Sequence, residues 1–159
     1  MAVDMFIKID ALKGESPDKV HKDEIQVLSF SWGATQSGST HMGTGGGSGK
    51  VNFSDITFTK FVDKSSPLLL QNCANGKHFK EALLTVRKAG GTPLEYLKIK
   101  LTDIIVSAFS SGGSGGEDRL TENVTLNFGK IDFTYTPQKH DGSADVAVVT
   151  TWDIQKNTA

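Results

Sequence analysis

The sequence has almost no cysteine, almost no net charge and no long hydrophobic run, and each shortage excludes a class of protein. Cys73 is the single cysteine in 159 residues, so an intramolecular disulfide framework is impossible and the chain suits a reducing compartment. The net charge is −1, with basic and acidic residues mixed along the chain, so we expect no nucleic-acid partner. No apolar run approaches the roughly 20 residues of a membrane-spanning helix, and we expect no membrane insertion.

The N-terminus also lacks the features of a cleaved signal peptide. Asp4 and Lys8 interrupt the segment that would have to be continuously apolar. We therefore expect synthesis in the cytoplasm without a cleaved signal. No linker or shift in composition divides the chain, and its length fits a single domain over residues 1–159.

Alternating apolar and polar residues predict a mainly β protein. Such runs occupy residues 3–9, 25–32, 51–58, 82–88, 94–108, 122–135 and 146–154. The apolar phase changes after Val27, Phe53, Leu101 and Phe128, and Gly129 lies at the last change. Because one inserted residue turns all later side chains to the opposite face, each change predicts a bulge or a strand that passes between two packed faces. Long bent strands of this kind predict two packed antiparallel sheets forming a β-barrel.

One short flanking α-helix is predicted after residue 65. Ser66 can cap it, Pro67 suits its first position and Gly76 fits just beyond its end. Leu69, Leu70 and Cys73 would form the apolar stripe that lies against the barrel.

Two glycine-rich loops, at residues 41–50 and 112–119, are candidates for contact with a partner. Glycine can take a positive φ and allows another backbone to approach closely. The first loop resembles a phosphate-binding loop, but Thr44 and Val51 stand where that motif needs glycine and a magnesium-binding hydroxyl, and a strand follows it. The second resembles one calcium-binding nonapeptide repeat, but only one copy is present and Glu117 holds the acidic position.

Catalytic and metal-binding groups are scarce. The four histidines have no metal-ligand spacing, and Cys73 with His78 is better explained as packing than as a nucleophile and base. Glu117 and Asp118 adjoin Arg119 in a flexible loop, which favours ion pairing at a contact surface over acid-base catalysis. We therefore predict no enzyme activity, no cofactor and no metal site.

Small uncharged side chains lie opposite the apolar faces of two predicted strands. Ser29 and Ser31 form a short row, and Asn123, Thr125 and Asn127 form a longer one. Such rows are typical either of a solvated sheet face or of the lining of an aqueous channel. Alternation alone does not separate these alternatives.

Seven segments spread over nearly the whole chain share a pattern with one known family. They are residues 1–9, 24–33, 41–43, 63–67, 76–78, 86–91 and 112–128, which include His41-Met-Gly43, Asp63-Lys-Ser-Ser-Pro67 and Gly112-Gly-Ser-Gly-Gly-Glu-Asp-Arg119. In this order they resemble the Hcp family, the hemolysin-coregulated proteins that form the inner tube of the type VI secretion system. None of them is a catalytic signature, and their joint occurrence carries the resemblance.

The resemblance implies a structural protein that forms a homohexameric ring, and rings that stack into a hollow tube. It implies assembly in the bacterial cytoplasm on a baseplate, a spike protein at the tip, a surrounding contractile sheath, and expulsion into the medium or a target cell. It further implies that small effector toxins are carried and chaperoned in the ring lumen. We expect no toxin domain after the tube domain.

Two sets of residues are candidates for these roles. Contacts within or between rings are predicted for Met42, Gly43, Gly45, Gly46, Gly47, Lys50, Gly113, Gly116, Glu117, Asp118 and Arg119. Lumen and cargo contacts are predicted for Ser29, Ser31, Asn123, Thr125 and Asn127. The alternative is a stand-alone β-sandwich that binds a ligand or acts as an adhesin, with the glycine-rich loops contacting the ligand.

Overall fold

The structure, a computed structural model, describes residues 3–38 and 49–159. Its strands are β1 (Val3–Ile9), β2 (Ile25–Val27), β3 (Ser29–Ser31), β4 (Ala34–Thr35), β5 (Asn52–Phe53), β6 (Ile56–Phe61), β7 (His78–Lys88), β8 (Leu94–Ser111), β9 (Thr121–Tyr135) and β10 (Val148–Asp153), and its helix is α1 (Ser66–Asn75). No helix in the described ranges combines the length and the hydropathy needed to cross a lipid bilayer.

The main sheet is antiparallel and curls into a nearly closed barrel. Its strands follow the order β2-β1-β7-β8-β9-β6-β3, and β10 pairs with β9 outside this path. Only Leu28 separates β2 from β3, so this one segment pairs with β1 at one end and with β6 at the other. The backbone N–H of Leu28 donates to the carbonyl of Thr59 at 2.8 Å, at the point where the chain passes between the two neighbours. The prediction of a mainly β, barrel-like fold with one short helix is confirmed.

The phase changes predicted after Leu101 and Phe128 are not register bulges. The pairs Thr102↔Lys130 and Ile104↔Phe128 keep one register, so β8 and β9 change phase together. Asp103, with a left-handed φ of 56°, lies between these pairs and faces Gly129. A Cβ on Gly129 would lie 3.3 Å from the Cβ of Asp103, which explains a glycine here. True register shifts occur between Val86 and Arg87 and between Val106 and Ala108.

The helix differs from its prediction in two details. Its N-cap is Ser65, and Ser66 is the first helical residue, with its hydroxyl turned toward the barrel interior. Leu69 is fully buried, but Leu70 is 54% exposed, so the predicted apolar stripe was wrong at Leu70. The helix contacts β8 through a narrow face, and Leu70 turns away from it. Gly76 ends the helix with a φ of 68°, as the sequence predicted.

Aliphatic side chains from β1, β2, β6, β7, β8 and β9 fill the interior, and a group of aromatic residues packs against this core. Trp32 stacks on Phe53 at 6.5 Å and contacts Phe133 at 5.6 Å, while Phe53 meets Phe128 edge to face. These contacts anchor the separate β4–β5 hairpin, from which the first glycine-rich loop extends. The base of that loop is therefore held on the barrel by large apolar contacts.

Candidate functional site

Two rows of small polar side chains cross the outside of β3, β6 and β9. In the first row the register places Ser29 opposite Thr59 and Thr59 opposite Asn123. The second row runs parallel to it, with Thr57 between Ser31 and Thr125. With Asn127, which is exposed beside them on β9, the rows comprise Ser29, Ser31, Thr57, Thr59, Asn123, Thr125 and Asn127, and we call them the polar face. The five predicted lumen residues thus lie on one continuous surface.

The side chains of the polar face hydrogen-bond across strands. The Thr59 hydroxyl donates to Asn123 Oδ1 at 2.7 Å, and the Thr57 and Thr125 hydroxyls lie 3.0 Å apart. Cross-strand pairs of this kind stabilise a sheet and satisfy polar groups without adding charge. The face is therefore hydrophilic and uncharged, and four of its seven side chains hydrogen-bond to one another.

One carboxylate lies at the margin of the polar face, and it is fully engaged. Asp55 Oδ2 accepts a hydrogen bond from the Ser107 hydroxyl at 2.8 Å, and Asp55 Oδ1 accepts one from Asn127 at 2.9 Å. These contacts fix Asp55 and spread its charge over two donors.

The opposite side of the barrel has different chemistry. The outer surfaces of β1, β7 and β8 carry Lys8, Glu81, Glu95, Lys98 and Lys100. Lys98 pairs with Glu95 at 3.3 Å and Lys100 with Glu81 at 3.4 Å. The barrel thus has one neutral side and one charged side.

Thr57 and Thr59 complete the polar face, and the sequence prediction missed them. Ile56, Phe58 and Lys60 point inward, so the two threonines point outward by simple alternation. The sequence therefore contained the signal for these two residues. It contained no signal that β6 pairs between β3 and β9, and only this pairing joins the two predicted rows.

The second glycine-rich loop joins β8 to β9 at one end of the polar face. All its residues from Gly112 to Arg119 are exposed, and an open cavity of about 470 Å³ lies between the loop and Asn123. The predicted contact residues Gly113, Gly116, Glu117, Asp118 and Arg119 are all in this loop.

The loop is packed where it meets the barrel. A Cβ on Gly113 would lie 2.3 Å from the Leu120 side chain, and the Arg119 guanidinium lies 3.9 Å from the centre of the Phe61 ring. The positive φ expected of these glycines is not observed, because the described glycines with positive φ are Gly76, Gly90 and Gly142. Here glycine provides close approach to a side chain and not a left-handed turn.

The first glycine-rich loop lies mostly outside the described residues. Met42, Gly43, Gly45, Gly46 and Gly47 belong to the part that the structure does not describe. Lys50 is described and exposed, and it lines a cavity of about 380 Å³ together with Phe53, Asp55 and Asn127. The base of this loop therefore adjoins the polar face.

A cluster of charged side chains fastens the segment between β1 and β2 to the barrel. Arg87 donates to both oxygens of Asp18, at 2.7 and 3.1 Å, and to Asp4 at 3.1 Å. The hydrogen bond from Arg87 holds the pKa of Asp18 well below its usual range. Because these groups are paired with one another, their role is to hold the segment in place.

His21 ties the same segment to β8. Its ring nitrogens contact Glu24 Oε2 at 2.9 Å and Glu95 Oε1 at 2.6 Å, and its ring stacks on Phe6 at 4.5 Å. Burial acts to raise the pKa of Glu95, but hydrogen bonds from His21 and Lys98 outweigh it, so the pKa lies below its usual range. Cys73, the other residue considered for catalysis, packs against the core from the helix, while His78 is exposed on β7.

Comparison with known proteins shows which family has this architecture. Residues 6–135 match the family described as "Type VI secretion system effector, Hcp". The chain is 59% identical over 159 residues to Protein hcp1 of Pseudomonas aeruginosa, covering 99% of this chain and 98% of the relative.

Solved structures give the same result. The structure of a type six secretion system protein superposes with a TM-score of 0.92 at 31% identity, covering 98% of each chain. The crystal structure of Hcp1 from Salmonella typhimurium superposes with a TM-score of 0.80 at 36% identity, covering 99% of each chain.

Proposed function

Because the chain belongs to the Hcp family of type VI secretion proteins, whose members are structural tube proteins and not enzymes, we propose that it is a subunit of the type VI inner tube. In this proposal six copies close into a ring, and rings stack into a hollow tube. The type VI machinery secretes the tube, and effector proteins travel in its lumen.

The polar face is the observation that carries this proposal. A tube wall must be wetted by water and must not hold its cargo tightly. Small hydroxyl and amide groups, such as the hydrogen-bonded pair Thr59 and Asn123, meet both needs because they are wetted by water and carry no charge that would hold the cargo. The charged side, with Lys98 and Lys100, would then lie at the outer surface of the ring.

The two glycine-rich loops supply the proposed contacts between subunits. Ring closure needs a head-to-tail contact, and stacking needs a second contact between ring faces. The loop at Gly112–Arg119 extends beyond the barrel from a fixed base at Leu120 and Phe61, so it is suited to one of these contacts. We assign the 42–50 loop to the other, with Lys50 at its base.

The proposed partners follow from the tube. A spike protein would cap it, a contractile sheath would surround it, and a baseplate would start its assembly. The charged outer side of β1, β7 and β8 is the surface that a sheath would meet. The cargo would be small effector toxins that fit within the ring lumen.

Negative-stain electron microscopy of the purified chain tests the proposal. We expect annular particles with an open centre. Single globular particles at all concentrations tested would contradict it and would favour the stand-alone binding module.

A further inference from the structure

The segment between β1 and β2, residues 10–24, covers part of the outer side of β1 and β7. Phe6 points out of the barrel, because alternation along β1 turns its neighbour Ile7 inward, yet Phe6 is only 4% exposed. The segment is a compact loop whose two ends meet in a backbone hydrogen bond from the N–H of Gly14 to the carbonyl of Asp23 at 2.8 Å. This loop keeps water from the Phe6 ring.

His21 packs on the Phe6 ring and contacts a carboxylate through each of its two ring nitrogens. The two rings stack 4.5 Å apart, with an angle of 10° between their planes. Nδ1 lies 2.9 Å from Glu24 Oε2 at the end of the segment, and Nε2 lies 2.6 Å from Glu95 Oε1 on β8. We call His21, Glu24 and Glu95 the clamp, because they fasten the segment to the barrel.

The clamp is complete only when the imidazole ring of His21 carries a proton on both nitrogens. An ionised carboxylate only accepts hydrogen bonds, so each of the two contacts needs an N–H on the ring. A neutral imidazole has one N–H and one lone pair. Its lone pair would face a carboxylate oxygen, and two acceptors in that position leave both groups without a hydrogen bond. The arrangement of the three side chains therefore fits the imidazolium ion.

The charged groups packed around the clamp suit a cation at its centre. Asp18 accepts a hydrogen bond from the backbone N–H of His21 at 3.0 Å, and Lys98 pairs with Glu95 at 3.3 Å. Around the ring, carboxylates outnumber cations by four to two. These groups are Asp18 and Glu24 of the segment, Asp4 of β1, Arg87 of β7, and Glu95 and Lys98 of β8.

A rise in pH breaks one of the two ring contacts. Loss of the second ring proton leaves one nitrogen with no hydrogen to donate, so the clamp is complete at lower pH and weakens as the pH rises. On the acidic side, the pKa of Glu95 lies below its usual range, so its carboxylate remains an acceptor in mildly acidic solution. Asp18 and Arg87 stay charged throughout, because the pKa of Asp18 lies below its usual range and the pKa of Arg87 lies above its own.

We propose that the clamp is a pH-sensitive switch, which holds residues 10–24 on the barrel while His21 is an imidazolium ion and lets them loosen when the ring loses a proton. The switch lies within one chain, so it does not depend on the proposed tube function. Its opening is local, because the seven residue pairs between β1 and β7 beneath it do not involve the clamp. The Phe6 ring is the apolar surface that the opening exposes.

Hydrogen exchange of backbone amides tests the switch on the intact chain. The amides of Gly14, Ser16 and Asp23 form hydrogen bonds inside the segment and report its opening. Their protection is the exchange rate of an unstructured peptide divided by the measured rate at the same pH, so the direct effect of pH on exchange cancels. Between pH 6 and pH 9 we expect this protection to fall about tenfold or more, the effect of losing one charge-assisted hydrogen bond. The amides of Val124 and Leu126 in β9 are the internal control and keep their protection.

Glu95→Gln separates the switch from other effects of pH. The side-chain amide of glutamine accepts a hydrogen bond from the imidazolium ring and donates one to the neutral ring, so both ring contacts persist at both pH values. We expect the protection of the segment in this variant to change by less than about twofold between pH 6 and pH 9. Glu24→Gln applies the same test to the other ring nitrogen. The matched control is Glu81→Gln, which removes a carboxylate that pairs with Lys100 on the same side of the barrel and keeps the wild-type pH dependence.

Three results would overturn the switch. The first is wild-type protection of the segment that stays constant between pH 6 and pH 9. The second is a Glu95→Gln or Glu24→Gln variant that loosens as much as wild type over the same range. The third is a Glu81→Gln control that no longer responds to pH, because the response would then depend on surface charge in general.

Discussion

Lys60 and Glu122 form an ion pair in the barrel interior, where both side chains are inaccessible to solvent. They are register partners on β6 and β9. Lys60 Nζ also lies 3.0 Å from Asp63 and 3.0 Å from the Ser66 hydroxyl, at the start of the helix. This cluster joins two strands to the helix through charge-assisted hydrogen bonds.

Removal of the cation from this cluster should destabilise the fold. Lys60→Met leaves the carboxylates of Glu122 and Asp63 buried without their partner, so we expect a loss of about 3–5 kcal/mol in the free energy of unfolding. The matched control is Lys100→Met, because Lys100 pairs with Glu81 in solvent, and we expect a change below about 1 kcal/mol. Urea unfolding at a fixed protein concentration measures both. Equal losses in the two variants would show that the buried pair has no special role.

Asp18 should make stability depend on pH in the acidic range. Its pKa is lowered in the folded state by Arg87, so its contribution is complete above its ordinary pKa of about 3.9 and is lost as the pH falls toward its lowered value. Asp18→Asn should therefore be less stable than wild type by about 1 kcal/mol at pH 7. The gap should shrink as the pH is lowered below about 3.9. Unfolding curves at pH 7 and pH 3 measure it, and a gap that is the same at both would contradict the role of Arg87.

Two glycine substitutions should differ sharply in their effect. A Cβ on Gly14 would lie 2.6 Å from the carbonyl oxygen of Glu24 and 2.7 Å from the Cα of Ile25, both backbone atoms. We expect Gly14→Ala to cost about 2–3 kcal/mol of stability. Nothing lies within 4 Å of a Cβ on Gly115, so Gly115→Ala should stay within about 0.5 kcal/mol of wild type. Thermal unfolding compares them, and equal stability of the two variants would argue against the close approach at Gly14.

The polar face should lie on the inside of the ring. In a Cys73→Ala background, Ser31→Cys labelled with a maleimide gold cluster should place density at the centre of annular particles in electron micrographs. Val20→Cys is the control, because Val20 is exposed and its segment contacts β7 through Asp18 and Arg87 and β1 through His21 and Phe6, across the barrel from β6, and its label should appear on the perimeter. Ser31 labels on the perimeter would refute the assignment of the lumen.

The strands and the helix could be predicted from sequence because their signals are local. Alternation at Val3, Met5, Ile7 and Ile9 requires only neighbouring residues, and so does Pro67 followed by Gly76. The position of the bend in β9 could also be predicted, from the phase change around Gly129.

Contacts between residues far apart in the sequence could not be predicted. The features that the sequence missed or misplaced all depend on such contacts. Asp103 and Gly129 face each other only because β8 and β9 share one register across the bend. The buried ion pair of Lys60 could not be predicted either, since its partner Glu122 is 62 residues away in the sequence. Leu70 was misplaced because tertiary packing, and not helix periodicity alone, decides which narrow face of α1 contacts β8.

Self-association around an open centre can be measured by native mass spectrometry of the purified wild-type chain at several concentrations. We expect a dominant species of six times the 17.1 kDa subunit mass. A mass of one subunit at every concentration would contradict it.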